Sequence, residues 1–113
     1  MRNRPLESIK KAADFKKVYK QGKAASNKHF AVYAETTDRG YARLGLSIGK
    51  KVGKAVVRNK LRRWIKEFCR LNKELLPSAD IVVVAKAMAR ELVAAGMYSK
   101  TEKSLSKLTG QLK

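Results

Sequence analysis

The sequence predicts an α+β fold in which helices pack on one layer of β-sheet. Three observations carry this. Two runs, His29–Thr36 and Ala42–Gly49, alternate apolar and polar residues with the period of two of a half-buried strand. A third, Asp80–Lys86, is continuously apolar and β-branched, as in a central strand buried on both faces. Between them, Val52–Lys73 carries apolar residues at helical spacing. A strand, a long helix and a strand make a crossover unit, so the last strand is expected parallel to an earlier one. At 113 residues and 44% hydrophobic content, residues 1–113 are expected to form a single domain with one modest core.

Taken in order, residues 1–10 carry Arg2, Arg4 and Lys10 and read as a flexible basic arm. A helix is expected from Ala12, or from Asp14 if that residue is the N-cap, to a C-cap at Gly22. Phe15 and Tyr19 share one face of it, flanked by Lys16, Lys17 and Lys20. By pattern alone they form an aromatic core pair. Residues 23–27 read as a loop or a short edge strand. In the first alternating run Phe30, Val32 and Ala34 face the core, opposite His29, Ala31, Tyr33 and Glu35. Asp38-Arg39-Gly40 supplies the turn. In the second, Leu44, Leu46 and Ile48 face the core, opposite Arg43, Gly45, Ser47 and Gly49. That opposite face is small and polar, with one aromatic, Tyr33. It suits either a solvated sheet surface or a shallow cleft that a ligand backbone can approach closely. After the crossover helix and the Asp80–Lys86 strand, residues 87–97 read as a short helical turn and loop. Ser99 and Glu102 have capping-box spacing, and Leu105, Leu108 and Leu112 mark a last amphipathic helix.

The central helix divides the chain's chemistry. At about 100° per residue, Val57, Leu61, Trp64, Ile65, Phe68 and Leu71 fall in one arc, with Cys69 at its edge as a small buried hydrophobe. Arg58, Asn59, Arg62, Arg63, Lys66, Arg70 and Lys73 fall in the opposite arc, and Lys50, Lys51 and Lys54 lead into it. Only Glu67 interrupts the positive charge, whereas a surface helix laced with salt bridges would mix signs at four-residue spacing. With 27 Lys and Arg against 9 Asp and Glu, the net charge is +18. That is the footprint of a protein that neutralises phosphates. No apolar run approaches the length of a membrane span, and the N-terminal stretch has no signal h-region, so the chain is expected to be cytoplasmic.

Catalytic patterns are missing. The acids are dispersed singly, His29 stands alone as an ordinary surface or packing residue, and no Cys/His cluster has metal-ligand spacing. A phosphate loop is excluded: Gly45 and Gly49 are separated by three residues, and Lys51 stands where the metal-binding hydroxyl belongs. No short helix and tight turn precede the basic helix, as helix-turn-helix DNA binding requires. Structured RNA fits better, with Phe15, Tyr19 and Tyr33 available to stack unpaired bases.

The run Gly45–Glu67, GLSIGKKVGKAVVRNKLRRWIKE, closely resembles the signature of the bacterial ribonuclease P protein component. Written as Gly-Lys-Ala-Val-x-Arg-Asn, the family's hallmark fits Gly53 to Asn59, with Arg62, Arg63 and Lys66 following. Phe15, Tyr19, Gly22, Phe30, Tyr33 and the strand from Asp80 also have counterparts, so the likeness spans most of residues 8–110. Lys60 and Lys66 depart from family arginines, keeping charge but losing the planar fork. The resemblance implies a single-domain α-β-β-β-α-β-α sandwich with a left-handed βαβ crossover (ribosomal protein S5 domain 2-like), a handedness that general rules disfavour. It implies a protein, monomeric by itself, that partners ribonuclease P catalytic RNA. That RNA, with Mg²⁺ in the assembled ribonucleoprotein, hydrolyses the 5′ leader from precursor tRNA, and no cofactor or metal is expected on the protein alone. By position, Lys50, Lys51, Lys54, Arg58, Asn59, Lys60, Arg62, Arg63, Lys66 and Arg70 would face RNA. Phe15, Tyr19, Tyr33 and Ser47 would line the leader cleft. The alternative is a structural, ribosomal-type RNA-binding protein with no part in cleavage; a weaker one is a DNA architectural protein.

Overall fold

The computed structural model describes residues 6–72, 76 and 78–111. Its elements are β1 (Glu7–Ser8), α1 (Ala12–Gln21), β2 (Lys23–Ser26), β3 (Phe30–Thr36), β4 (Arg43–Ile48), α2 (Ala55–Leu71), β5 (Ala79–Ala85), α3 (Arg90–Ala94) and α4 (Tyr98–Gln111). Short 3₁₀ turns lie at Lys50–Val52 and Ala87–Ala89. The strands form one sheet in the order β1-β4-β5-β3-β2. β5 lies between β4, to which it is parallel, and β3, to which it is antiparallel. The crossover through α2 therefore joins neighbouring parallel strands, as the order of elements predicts.

Alternation along β5 divides the interior into two layers. Ile81, Val83 and Ala85 join Phe30, Val32, Leu44 and Ile48 in the main core, which α2, α3 and α4 close with Leu61, Ile65, Phe68, Leu92, Leu105 and Leu108. Val82 points to the other face and packs with Ile9 and Val18, flanked by Phe15, Tyr33 and Val84. Because β5 is covered on both sides, every position contributes burial, which is why its sequence does not alternate. His29 is buried at the end of β3, where burial and the nearby Lys28 cation lower its pKa. Cys69 is 2% exposed. Burial pushes its thiol up to about 12, so the nucleophilic thiolate is scarce at neutral pH. Iodoacetamide at pH 8 is expected to leave the folded protein unlabelled and to modify Cys69 once urea unfolds it; labelling of the native protein, followed by mass spectrometry, would contradict this burial.

Several sequence expectations change. The supposed arm contributes β1, which pairs in parallel with Arg43 and Leu44 of β4, and Ile9 N–H donates to the Leu44 carbonyl at 2.9 Å. Residues 1–5 lie outside the described residues. These additions make the element order longer than α-β-β-β-α-β-α, with β1 in front and α3 before the last helix. Residues 23–26 are an edge strand, β2. Asp14 lies inside α1, whose N-cap is Lys11. Gly22 does cap α1, but in extended backbone at φ −81°. It is glycine because a Cβ there would stand 2.7 Å from the Val18 carbonyl oxygen and 2.8 Å from that of Ala34. The helix expected from Val52 begins at Ala55, after the 3₁₀ turn, and Leu71 at its end is 58% exposed rather than core. Ser99 lies within α4, so the proposed capping box is absent. Lys73 and Leu112 lie outside the described residues.

Candidate nucleic-acid interface

α2 forms where the sequence places its two arcs. Leu61, Ile65, Phe68 and Cys69 are buried, which leaves the opposite arc to solvent. There Asn59, Arg62, Arg63, Lys66 and Arg70 line a shallow open groove together with Glu67. Arg62 Nη1 donates to Asn59 Oδ1 at 2.8 Å. Arg70 grips Glu67 through two nitrogens, at 2.7 and 3.2 Å, and this holds the Glu67 carboxyl below its usual range. Arg63 and Lys66 make no ion pair among the described residues. Lys50 and Lys51 are exposed on the 3₁₀ turn, and Lys54 is exposed at the N-cap position. Arg58 folds back, its Nε donating to the Gly53 carbonyl at 3.1 Å, so part of its donor fork is used in shaping the connector. Lys60 stands apart from the groove, with Nζ 5.7 Å from the centroid of Trp64. Trp64 itself is half-buried and meets Tyr98 edge-on at 5.6 Å.

On the opposite face of the sheet, α1 sets an aromatic row. Phe15 and Tyr19 lie with centroids 6.5 Å apart, and Tyr19 meets Tyr33 edge-on at 5.0 Å. The expected core pair divides: Phe15 is half-buried beside Val18 and Val82, while Tyr19 is 40% exposed. Phe15 sits directly on Gly45, where a Cβ would stand 2.7 Å from Phe15 Cζ. The small face of β4 therefore has a specific use, which is to let α1 approach the sheet. Beyond this contact runs the row Ser26–Ala31–Val84–Ser47 across β2, β3, β5 and β4. Val84 and Ser47 are half-exposed there. Tyr33 and this row share the face of the sheet on which α1 packs, with Tyr19 of α1 against Tyr33. Gly45→Ala is expected to displace the Phe15 ring and cost about 1–3 kcal/mol by overpacking. Phe15→Leu in the same chain recovers part of that loss. Urea denaturation of the single and double variants checks it; strictly additive losses would mean that Phe15 is not what a Cβ at residue 45 meets.

One cluster escapes the sequence reading. Asp80, at the head of β5, has a side chain 6% exposed. It accepts Arg43 Nε at 2.8 Å, Arg43 Nη2 at 2.6 Å and Arg39 Nη1 at 2.8 Å. Arg43 reaches on to Asp14 of α1 at 3.7 Å. The Arg43 hydrogen bonds hold the Asp80 carboxyl below its usual range against the opposing effect of burial. The signal was an acid opening an apolar run and an arginine on an alternating strand. Only the pairing of Arg43 with Asp80 across β4 and β5 brings them together. Glu35 likewise lies 4.0 Å from Lys17. No group of three or more His, Cys, Asp or Glu suited to a metal ion is present among the described residues. Nor is any helix among the described residues long and apolar enough to cross a membrane.

Known proteins resemble this chain over nearly its whole length. The ribonuclease P family model matches residues 4–109. The ribonuclease P protein component of Clostridioides difficile is 41% identical over 104 residues, covering 90% of this chain and 88% of the relative. That of Geobacillus kaustophilus is 40% identical over 99 residues, covering 86% and 78%. Among solved structures, the Staphylococcus aureus RNase P protein superposes with a TM-score of 0.87 at 34% identity, covering 96% of each chain. The Thermotoga maritima RNase P protein superposes with 0.86 at 32% identity, covering 95% of this chain and 98% of the other. A family model that matches residues 4–109, and relatives and solved structures alike over nearly the whole length, establish that the chain belongs to the ribonuclease P protein family.

Proposed function

We propose that this chain is the protein subunit of a cytoplasmic ribonuclease P, monomeric until it joins its RNA. It binds the catalytic RNA through the α2 face and the 5′ leader of precursor tRNA through the Tyr19–Tyr33 cleft. The observation that carries this reading is the unanswered charge of α2: Arg63 and Lys66 have no acidic partner among the described residues, and a phosphate backbone supplies one. Arginine forks grip phosphate oxygens in pairs, while lysines at the connector act as point charges. In the cleft, the exposed Tyr19 ring offers a face to an unpaired base, and the small floor admits the backbone beside it. In this reading hydrolysis belongs to the RNA partner, and among the described residues the Asp80 and Glu67 carboxylates are already engaged by guanidinium groups. The protein's role is to hold the leader and neutralise phosphates that would otherwise repel one another.

The test is cleavage of precursor tRNA at low Mg²⁺ with ribonuclease P RNA alone, protein alone and both together. Cleavage only in the mixture, at the correct mature 5′ end, is the expected result. No gain over a competent RNA would favour a structural RNA-binding role. A further solved Staphylococcus aureus RNase P protein, 35% identical, is described as a mutant with defective mRNA degradation activity. The protein-alone arm should therefore include an mRNA substrate, and its degradation would show a site that the dispersed acids conceal.

A further inference from the structure

The outward face of α1 is a second basic surface, separated from α2 by the sheet. Lys16 and Lys20 are exposed, make no ion pair among the described residues and line an open groove with Ala13, Lys17, Tyr19 and Gln21. Of the three lysines, Lys17 alone makes an ion pair among the described residues, with Glu35 at 4.0 Å. Tyr19 belongs to two features at once: its ring meets Tyr33 of the sheet edge-on, and it also borders this lysine groove. A stacking platform that passes directly into a row of cations is the arrangement that tracks a single-stranded backbone. The main core and the sheet lie between these charges and the α2 face.

We propose that the strand leaving the cleft turns over Tyr19 and continues along the outer face of α1, with Lys16 and Lys20 neutralising its phosphates. This rests on the reading of the cleft as the leader site. It makes α1 a guide with two working edges, aromatic for the nucleotides nearest the cleavage point and cationic for those beyond. The partner is the single-stranded RNA of the substrate itself, recognised by backbone charge and not by sequence.

The experiment measures equilibrium binding of precursor tRNAs, with leaders lengthened one nucleotide at a time, to the assembled ribonucleoprotein. The subunits compared are wild type, Lys16→Gln/Lys20→Gln and Tyr19→Ala. In the wild type, affinity should rise in two stages as the leader grows. The double lysine variant keeps the first stage and loses the second. At about 0.7 per phosphate for a single strand, its salt slope on long leaders falls by about 1.4, so a fourfold rise in salt costs the wild type about sevenfold more affinity than the variant. Equal weakening at every leader length, including none, would place the lysines on the tRNA body or the catalytic RNA and overturn the proposal. No change at any length would make them a solvated face and overturn it equally. Failure of the cleft reading shows separately, as unchanged short-leader binding in Tyr19→Ala.

Discussion

Asp80→Asn is expected to destabilise the protein by about 3 kcal/mol, because it removes the hydrogen-bonded counter-charge of a largely buried Arg43 guanidinium and leaves it only the Asp14 carboxylate, 3.7 Å away. Arg43 has a side chain only 16% exposed and engages Asp80 through two nitrogens. The asparagine keeps the shape and one acceptor oxygen but removes the charge. Urea denaturation checks this, and a loss within about 0.5 kcal/mol of zero would mean that solvent compensates Arg43 freely. The pH dependence has a definite sign. The Asp80 carboxyl lies below its usual range in the folded state because Arg43, and then Arg39, hydrogen-bond its charged form. Its contribution is therefore fully present above the pKa of an unfolded aspartate and fades as pH falls through that value toward the depressed folded one. In Asp80→Asn this part of the acid destabilisation is missing, so the stability curves of the two proteins converge as the solution is acidified. The consequence extends to the cleft, since Arg43 also reaches Asp14 on the helix that carries Phe15 and Tyr19.

Replacing Arg62, Arg63 and Lys66 together by Gln is expected to abolish most of the affinity for ribonuclease P RNA while leaving the fold intact. Arg63 and Lys66 are exposed, Arg62 is half-exposed, and none belongs to the core cluster. Gln is also a good helix former. At about 1.5 kcal/mol for each charge-assisted contact, the loss is about a thousandfold. The salt dependence is the sharper readout. At about 0.9 per phosphate, the value for a B-form DNA duplex, three lost contacts reduce the slope by about 2.7. Binding titrations at several salt concentrations measure it, with thermal denaturation confirming that α2 still packs. An unchanged slope would mean that these cations touch no phosphate, and RNA binding would then have to be sought on the α1 side of the sheet.

How much of this was legible in the chain depends on the range of the interaction concerned. Secondary structure and sidedness are local properties. The two arcs of α2, the alternation of β3 and β4 and the continuous burial of β5 each follow from spacing within one segment, and the structure reproduces them. The unbalanced charge was equally legible, because the sign of a helix face needs no partner to be read. Element ends were less so. Leu71 satisfies the helical period yet lies at the end of the helix and is exposed. Ser99 has the right spacing for a cap, but α4 already begins at Tyr98.

What only the tertiary structure decided were features made by two distant segments. Glu7–Ser8 carries no strand pattern; it becomes β1 because the free edge of β4 offers backbone partners and Ile9 finds a buried seat. Phe15 and Tyr19 are four residues apart on one helix, and periodicity treats them alike. The close approach over Gly45 buries one ring in part, and the position of Tyr33 leaves the other exposed. Asp80 and Arg43 are 37 residues apart and meet through strand pairing alone. Composition and period thus determined a basic, two-faced α+β domain suited to RNA. The sheet order determined which side chains meet, because contact between segments depends on register, which no single stretch of sequence contains.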